Sequence, residues 1–400
     1  MKKGFLFFAM LSVLFATLEY GITRPVSQAL FLTYWTSQMV PWVWLATVPL
    51  NLFIIFLYNR YLPRLGPLKT MGTLCAFTLL LKLLCVLFLS RFPILIFLHY
   101  AWKDIYILLI LKQIWSIIHS TIPSQRAKYL YGFIFSMGAL GSVLGSQIPA
   151  HLATQIGSEV IFLFSFPVYA GLLFAYRKML AGSSITSDAF LSLAPRASEG
   201  FSLIRQSRAL FTILTLVILM QVSIGLIEYQ FSWHLETNIL EKDLRTAYCG
   251  KLTGYMNLLN GLFQLVGGWF LVHVLGLKRS HFAIPVVLLA SALLSWTYPS
   301  FALISFSYVF IKAIDFSLFG IVREMLYLPM ALDEKFQAKA VIDVFAYRTS
   351  KAFVALALLS LQWLAGSLLL PIASSLSLGV FLAWILAVLF LFRERAPQRI

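Results

Sequence analysis

The chain has 400 residues, 60% apolar and 12% charged, with a mean hydropathy of +0.87. A soluble domain carries about 25% charged residues, so this composition excludes a water-soluble globule of this size. The net charge of +16 would point to nucleic acid in a soluble protein, but here the cations sit in short loops between apolar blocks, and no nucleic-acid partner is expected.

Met1-Lys2-Lys3 opens onto an apolar run. No small-x-small cleavage site follows Phe15, so an uncleaved first helix is expected rather than a signal peptide. Blocks of about 20 apolar residues cross a bilayer as helices. They place spans near 4–24, 38–58, 70–90, 94–120, 127–150 and 157–178, then 207–230, 251–275, 281–298, 301–330, 338–368 and 369–393.

Lys and Arg concentrate on the cytoplasmic side of membrane proteins. With the N-terminus inside, the inner loops hold 19 of them, among them Lys2, Arg60, Arg64, Lys69, Arg177 and Lys278. The outer loops hold 5: Arg24, Arg91, Lys242, Arg245 and Lys251. This bias supports an even number of helices and two cytoplasmic termini, in a bacterial inner membrane.

The longest polar break runs from Met179 to Ser207 and is rich in Ser, Gly, Ala and charge. It divides the chain into a six-helix bundle at 1–178, a cytoplasmic linker at 179–206 and a second bundle at 207–400. The fold class is therefore all-α integral membrane, about twelve transmembrane helices in a 6+6 layout. Such a layout is typical of major-facilitator transporters, whose halves rock about a midplane site. A monomer is expected.

Three cysteines, Cys75, Cys85 and Cys249, exclude a disulfide framework, and no Cys/His spacing points to a metal. Neither a nucleophile arrangement nor paired catalytic carboxylates are visible, so neither an enzyme nor a cofactor is expected. A charge near the bilayer centre costs roughly 3 kcal/mol or more and by default faces a cavity or a partner. The spans contain Glu19, Lys82, Lys103, Asp104, Lys112, Glu228, Lys312, Asp315, Arg323, Glu324, Asp343, Arg348 and Lys351.

Lys82 lies mid-span between Leu81 and Leu83, beyond comfortable snorkelling reach. Lys82, Lys103 and Lys351 are the candidates to face an anionic solute in an electropositive cavity enclosed by the two halves. Glu228 is the candidate coupling or gating carboxylate. Arg323, Glu324, Asp343 and Arg348 flank the inner loop around Asp333 and form a candidate cytoplasmic latch. Lys312 and Asp315, three apart on one face, are expected to neutralise each other. Adjacent Arg323 and Glu324 diverge by about 100° and are expected to seek partners on other helices. The run Gly138-Ala139-Leu140-Gly141-Ser142-Val143-Leu144-Gly145, with a weaker echo at Gly261, Gly267 and Gly268, marks close helix packing.

Three stretches resemble the ATP/ADP translocase family of obligate intracellular bacteria and plastids. Ser317-Leu318-Phe319-Gly320-Ile321-Val322-Arg323-Glu324-Met325-Leu326-Tyr327-Leu328-Pro329 is similar to that family's S-L-F-D-x-x-K-E-M-A-Y-I-P-L. Lys339-Ala340-Val341-Ile342-Asp343, then Arg348 and Lys351, continue it as G-K-A-x-x-D…R-x-x-K. Ala127-Lys128-Tyr129 through Gly138-Ala139 resembles A-K-R-F-Y-P-L-F-G-x-G-A. Leu226-Ile227-Glu228, with Tyr248-Cys249-Gly250-Lys251, resembles L-x-E…Y-x-x-F-M-G-K/R.

The resemblance covers about a quarter of the chain and implies a major-facilitator-like fold that exchanges anionic nucleotides. At 400 residues the chain reads as a short, divergent member. Where the family's second helix carries I-P-F-L-K-T-W, this chain has Val40-Pro41-Trp42-Val43-Trp44, so Val43 or Trp44 replaces a lysine. The W-K pair after the seventh-helix glutamate is altered too, with Trp233-His234 displaced. A small anionic solute, with ATP/ADP as its implied form, is the expected substrate. Proton-coupled transport of a non-nucleotide metabolite and a transport-inactive or lipid-handling membrane protein are the alternatives.

Overall fold

The computed structural model describes residues 4–183, 197–267, 270–327, 342 and 346–393, and all regular structure among them is helical. The helices are α1 (Phe5–Tyr34), α2 (Val40–Phe88), α3 (Ile94–Thr121) and α4 (Ser124–Ile156). Next come α5 (Ser158–Gly182), the short α6 (Ala197–Gln206), α7 (Arg208–Asn238), α8 (Lys242–Leu262) and α9 (Gly276–Thr297). The last are α10 (Phe301–Tyr327), α11 (Tyr347–Ala365) and α12 (Leu369–Arg393).

Among the described residues, nine stretches are long and apolar enough to cross a membrane. One of them, Ser37–Phe88, is two expected spans in a single helix. Its backbone leaves helical geometry at Gly66 (φ 75, ψ 164). Glycine tolerates that positive φ, and Pro67 beside it has no N–H to continue the ladder. The break falls in the polar stretch of Arg60, Arg64 and Lys69, where the sequence places a loop. Buried Gln113 of α3 donates its amide to the carbonyl of Pro67 near the break and, at 2.8 Å, to Tyr176 Oη. Membrane protein backbone needs such internal partners.

The two remaining expected spans correspond to α8, whose Lys242, Asp243, Arg245 and Lys251 lower its hydropathy, and α11, whose apolar part, Thr349–Ala365, is short. Together these account for twelve spans.

The chain forms two compact units. One comprises Met1–Met39, Ala46–Leu193 and Ile239–Leu258; the other comprises Val40–Leu45, Ala194–Asn238 and Leu259–Ile400. Val40–Leu45 and Ile239–Leu258 each pack in the unit opposite to the bundle their sequence position gives them.

In the first unit α4 lies against α1 through its small residues. A Cβ on Gly141 would meet the Leu14 carbonyl, and one on Gly145 the Leu18 carbonyl. Buried Ile105, Ile110, Ile114, Ile117 and Ile118 of α3 fill the core with Phe5, Tyr169 and Met179. Helix α8 packs on α4 in the same way: a Cβ on Gly250 would come within 2.6 Å of the Ala150 nitrogen, and Asn257 Nδ2 donates to Ser142 Oγ at 2.7 Å. The expected echo at Gly261 does not pack, since Gly261 faces open space.

In the second unit α7 is central, packed by α10, α11 and α12. Gly225 of α7 admits Val354, and the Phe231 and Tyr308 rings stack at 4.2 Å.

Candidate functional site

In the first unit, α1 buries Glu19 and α2 buries Lys82, with side chains 1% and 0% exposed. The Lys82 ammonium donates to Glu19 Oε1, to Thr23 Oγ1 at 2.5 Å and to Ser165 Oγ at 2.8 Å. Glu19 also accepts from Thr23 (2.6 Å), Ser165 (3.3 Å) and, on Oε2, Tyr106 Oη (2.8 Å). The rings of Tyr106, Phe162 and Tyr169 surround Nζ at 5.6–5.8 Å. Lys82, expected to meet the solute, is thus bound to a buried carboxylate and two hydroxyls. The reason is helix geometry: Glu19 and Thr23 are four apart and present one face to Lys82.

Lys103 pairs with neighbouring Asp104 at 3.0 Å and lies 3.9 Å from the Tyr100 ring centre. Tyr20 Oη donates to the same Asp104 oxygen at 3.2 Å. Buried His99 Nδ1 is 3.0 Å from Ser27 Oγ. Elsewhere in this unit Lys242 bonds both oxygens of Glu159, at 2.6 and 2.8 Å. Asp243 Oδ1 accepts from the Ser158 backbone N–H at 2.8 Å and its hydroxyl at 2.5 Å. Arg245 donates to the Ile239 carbonyl at 2.7 Å.

The second unit has its own ion pair. Lys312 of α10 meets Glu228 of α7 at 2.7 Å, the side chains 9% and 13% exposed. This corrects the expected Lys312–Asp315 pairing. Residues Asp315–Phe319 form a wide π turn. Asp315 instead accepts from Gln221 of α7 at 3.2 Å. The side chains of Arg323 and Glu324 come within 3.9 Å of each other. Lys351 Nζ lies 5.4 Å from the ring centre of buried Trp44. Asp343 and the Arg348 side chain lie outside the described residues, so the structure gives the latch expected of them no geometry.

Glu19 was counted among the intramembrane charges but given no role by the sequence reading. The signal that finds it is internal. The first helix of each half carries Glu-Tyr, as Glu19-Tyr20 and Glu228-Tyr229, and each glutamate takes a lysine from another helix. Among the described residues, no three His, Cys, Asp or Glu side chains group as a metal site.

Residues 300–394 match the model of the family described as the TLC ATP/ADP transporter. The match covers under a quarter of the chain. It spans α10 to α12 and contains Lys312, Arg323, Glu324 and Lys351. No match to a curated protein was found.

Among solved structures, a point mutant of the nucleoside transporter NupG is 12% identical with a TM-score of 0.72, covering 96% of this chain and 98% of that one. The POT family transporter PepTSo is 10% identical with a TM-score of 0.70, at 98% of both chains. A bacterial homologue of the iron transporter ferroportin, in an inward-facing state, is 15% identical with a TM-score of 0.68, covering 96% and 99%. These likenesses establish the fold: all-α, multi-pass and major-facilitator-like.

Proposed function

We propose that the chain exchanges small anionic solutes, nucleotides of the ATP/ADP type, by alternating access across a bacterial inner membrane. In this reading it acts as a monomer with both termini cytoplasmic and is not an enzyme. The observation that carries the proposal is the ATP/ADP transporter match over 300–394, set in a transporter fold.

Charge supports it. Lys103 and Lys351, each against an aromatic face, are assigned to the solute's anionic oxygens. An aromatic face holds an ammonium by about 0.5–2 kcal/mol, and Lys103 is held by Asp104 as well. Lys82 is assigned to supporting the first unit through Glu19. The Glu228–Lys312 pair takes the coupling or gating role, and Arg323, Glu324, Asp343 and Arg348 the inner latch.

A second reading, proton-coupled uptake of a less highly charged metabolite, is favoured by one observation. Val43 and Trp44, one of which stands where the resembling family carries a lysine, are both buried and uncharged.

Uptake of labelled ATP into intact bacteria expressing the chain, preloaded with nucleotide, tests the proposal. Saturable uptake that exchanges with internal ADP is expected. Protein shown to be inserted and folded that takes up no ATP overturns the nucleotide reading. Uptake of other anions driven by a pH gradient would then support the second.

A further inference from the structure

Over its last turns α3 buries its aliphatic side chains and leaves polar and aromatic ones outside, the reverse of a lipid-facing surface. From Lys112 to Ser120, Ile114, Ile117 and Ile118 are buried, while Lys112, Trp115, Ser116, His119 and Ser120 are exposed or half-exposed. Lys112, Trp115 and His119 are three and four apart and share one face of the helix. Lys112 stands nine residues before Thr121, the nearer helix end, which is about 14 Å of helix. A lysine stem covers only part of that distance, and an ammonium held against lipid at such depth is costly. This face is therefore turned to water.

Aromatic rings gather on it. Trp115 lies at a shallow angle to Phe135 of α4, with ring centres 4.5 Å apart and planes at 30°. His119 stands at 5.4 Å and 30° from the same indole. Tyr131, one turn before Phe135, is edge-on to both, at 77° to Trp115 and 69° to His119. Its Oη is 2.6 Å from His119 Nδ1. That bond and the edge contacts hold the rings in place, yet Phe135 is 51% exposed, so the stack keeps an uncovered aromatic surface. One turn from Trp115, the Lys112 ammonium lies 5.8 Å from the Tyr58 ring centre.

The charge around the stack has one sign. Between Glu19 and Glu159 the sequence holds a single carboxylate, Asp104, about two helical turns from Lys112 and engaged by Lys103 and Tyr20. A guest suited to this face offers a flat π surface to the rings and negative charge to the ammonium. Bases stack on aromatic side chains, and phosphate oxygens take charge-assisted hydrogen bonds from lysine. A nucleotide has both; inorganic phosphate and lipid headgroups have the charge without the ring.

We propose that Trp115, His119 and Phe135 form the surface on which the heterocyclic base of a nucleotide stacks, with Lys112 directed at its phosphates. This assignment rests on the nucleotide reading and adds to it the residues that hold the base.

Binding of ATP and of inorganic tripolyphosphate to the full chain in lipid nanodiscs, measured by titration calorimetry at constant ionic strength, separates ring from charge. The wild-type chain is expected to bind ATP about tenfold or more tightly than tripolyphosphate, through stacking. Trp115→Leu and Phe135→Leu are each expected to weaken ATP about tenfold and tripolyphosphate far less, so the gap narrows. Trp115→Phe, which keeps a ring, should retain most of it, and Lys112→Met should weaken both anions. Phe135 is half-exposed, so Phe135→Leu carries the test should Trp115→Leu fail to fold. Equal affinity of the wild-type chain for ATP and tripolyphosphate, or a gap that both leucine variants leave intact, overturns the proposal and leaves the nucleotide reading standing. A folded wild-type chain that binds no ATP overturns both.

Discussion

Lys82→Met removes the ammonium at the centre of the first unit while keeping most of its volume. Glu19 would then be left fully enclosed, holding Thr23, Ser165 and Tyr106 but no countercharge. Removing one partner of a buried ion pair costs about 3–5 kcal/mol. The three hydroxyl donors survive the substitution, which puts the expected loss near the lower end, about 3 kcal/mol. That is a large share of a folding free energy of about 5–15 kcal/mol.

The assay is reversible unfolding in mixed micelles followed by circular dichroism, with Glu19→Gln/Lys82→Met measured beside the single variants. Replacing both charges leaves a neutral hydrogen-bonded cluster, so the double variant is expected to recover most of the loss. A loss below about 1 kcal/mol for Lys82→Met, or a double variant equal to the sum of the singles, would refute the reasoning. Uptake then separates two roles for Lys82. If the ammonium only supports the helices, the double variant regains transport with stability. A stable double variant without transport would return Lys82 to the solute. Lys82→Ala, which removes the charge and the packed stem together, cannot make that distinction.

Lys351→Met and Lys103→Met are each expected to raise the KM for the anionic solute about tenfold to a hundredfold, with Lys351→Arg milder, since a charge-assisted contact contributes roughly 1.5–3 kcal/mol; unchanged KM in both would remove them from the solute site. Gly145→Val drives a side chain into the Leu18 carbonyl and is expected to cost about 1–3 kcal/mol, whereas Gly261→Ala, facing open space, should stay within about 0.5 kcal/mol. Lys242 follows pH: partial burial pulls its pKa down, but the hydrogen bond and charge of Glu159, with Asp243 and Tyr34, outweigh that and raise it above the ordinary 10.5. A raised folded-state pKa means that the pair's contribution is complete below the unfolded value and is lost as pH climbs through the folded one. Melting temperature should therefore show no Lys242 step between pH 7 and 9 and a small decline above about 10.5 that Glu159→Gln abolishes; an identical decline in that variant would assign it elsewhere.

The helices were legible because their signal is collective. Twenty apolar residues in a row, punctuated by Arg and Lys on one side, leave little alternative in a bilayer. The Gly138–Gly145 run was legible for a similar reason: small residues at helical spacing have one main use in a membrane, and α1 lies where they predict. Charge partners were not legible in this way. Lys312 and Asp315 look paired on an ideal helix, but each finds its partner on α7, Glu228 for the one and Gln221 for the other, and Glu228 lies 84 residues from its lysine. Lys82 and Glu19, 63 residues apart, present the same difficulty: spacing within a helix gives a face, never what stands opposite it. The segments Val40–Leu45 and Ile239–Leu258 extend the point to whole stretches of chain, because hydropathy counts spans without saying which unit a span joins. What sequence does carry across that gap is repetition. Glu-Tyr recurs in the first helix of each half, and in both places the glutamate holds a lysine from a neighbouring helix. A shared pattern of that kind relates the two pairs, the first with side chains 0% and 1% exposed and the second with 9% and 13%.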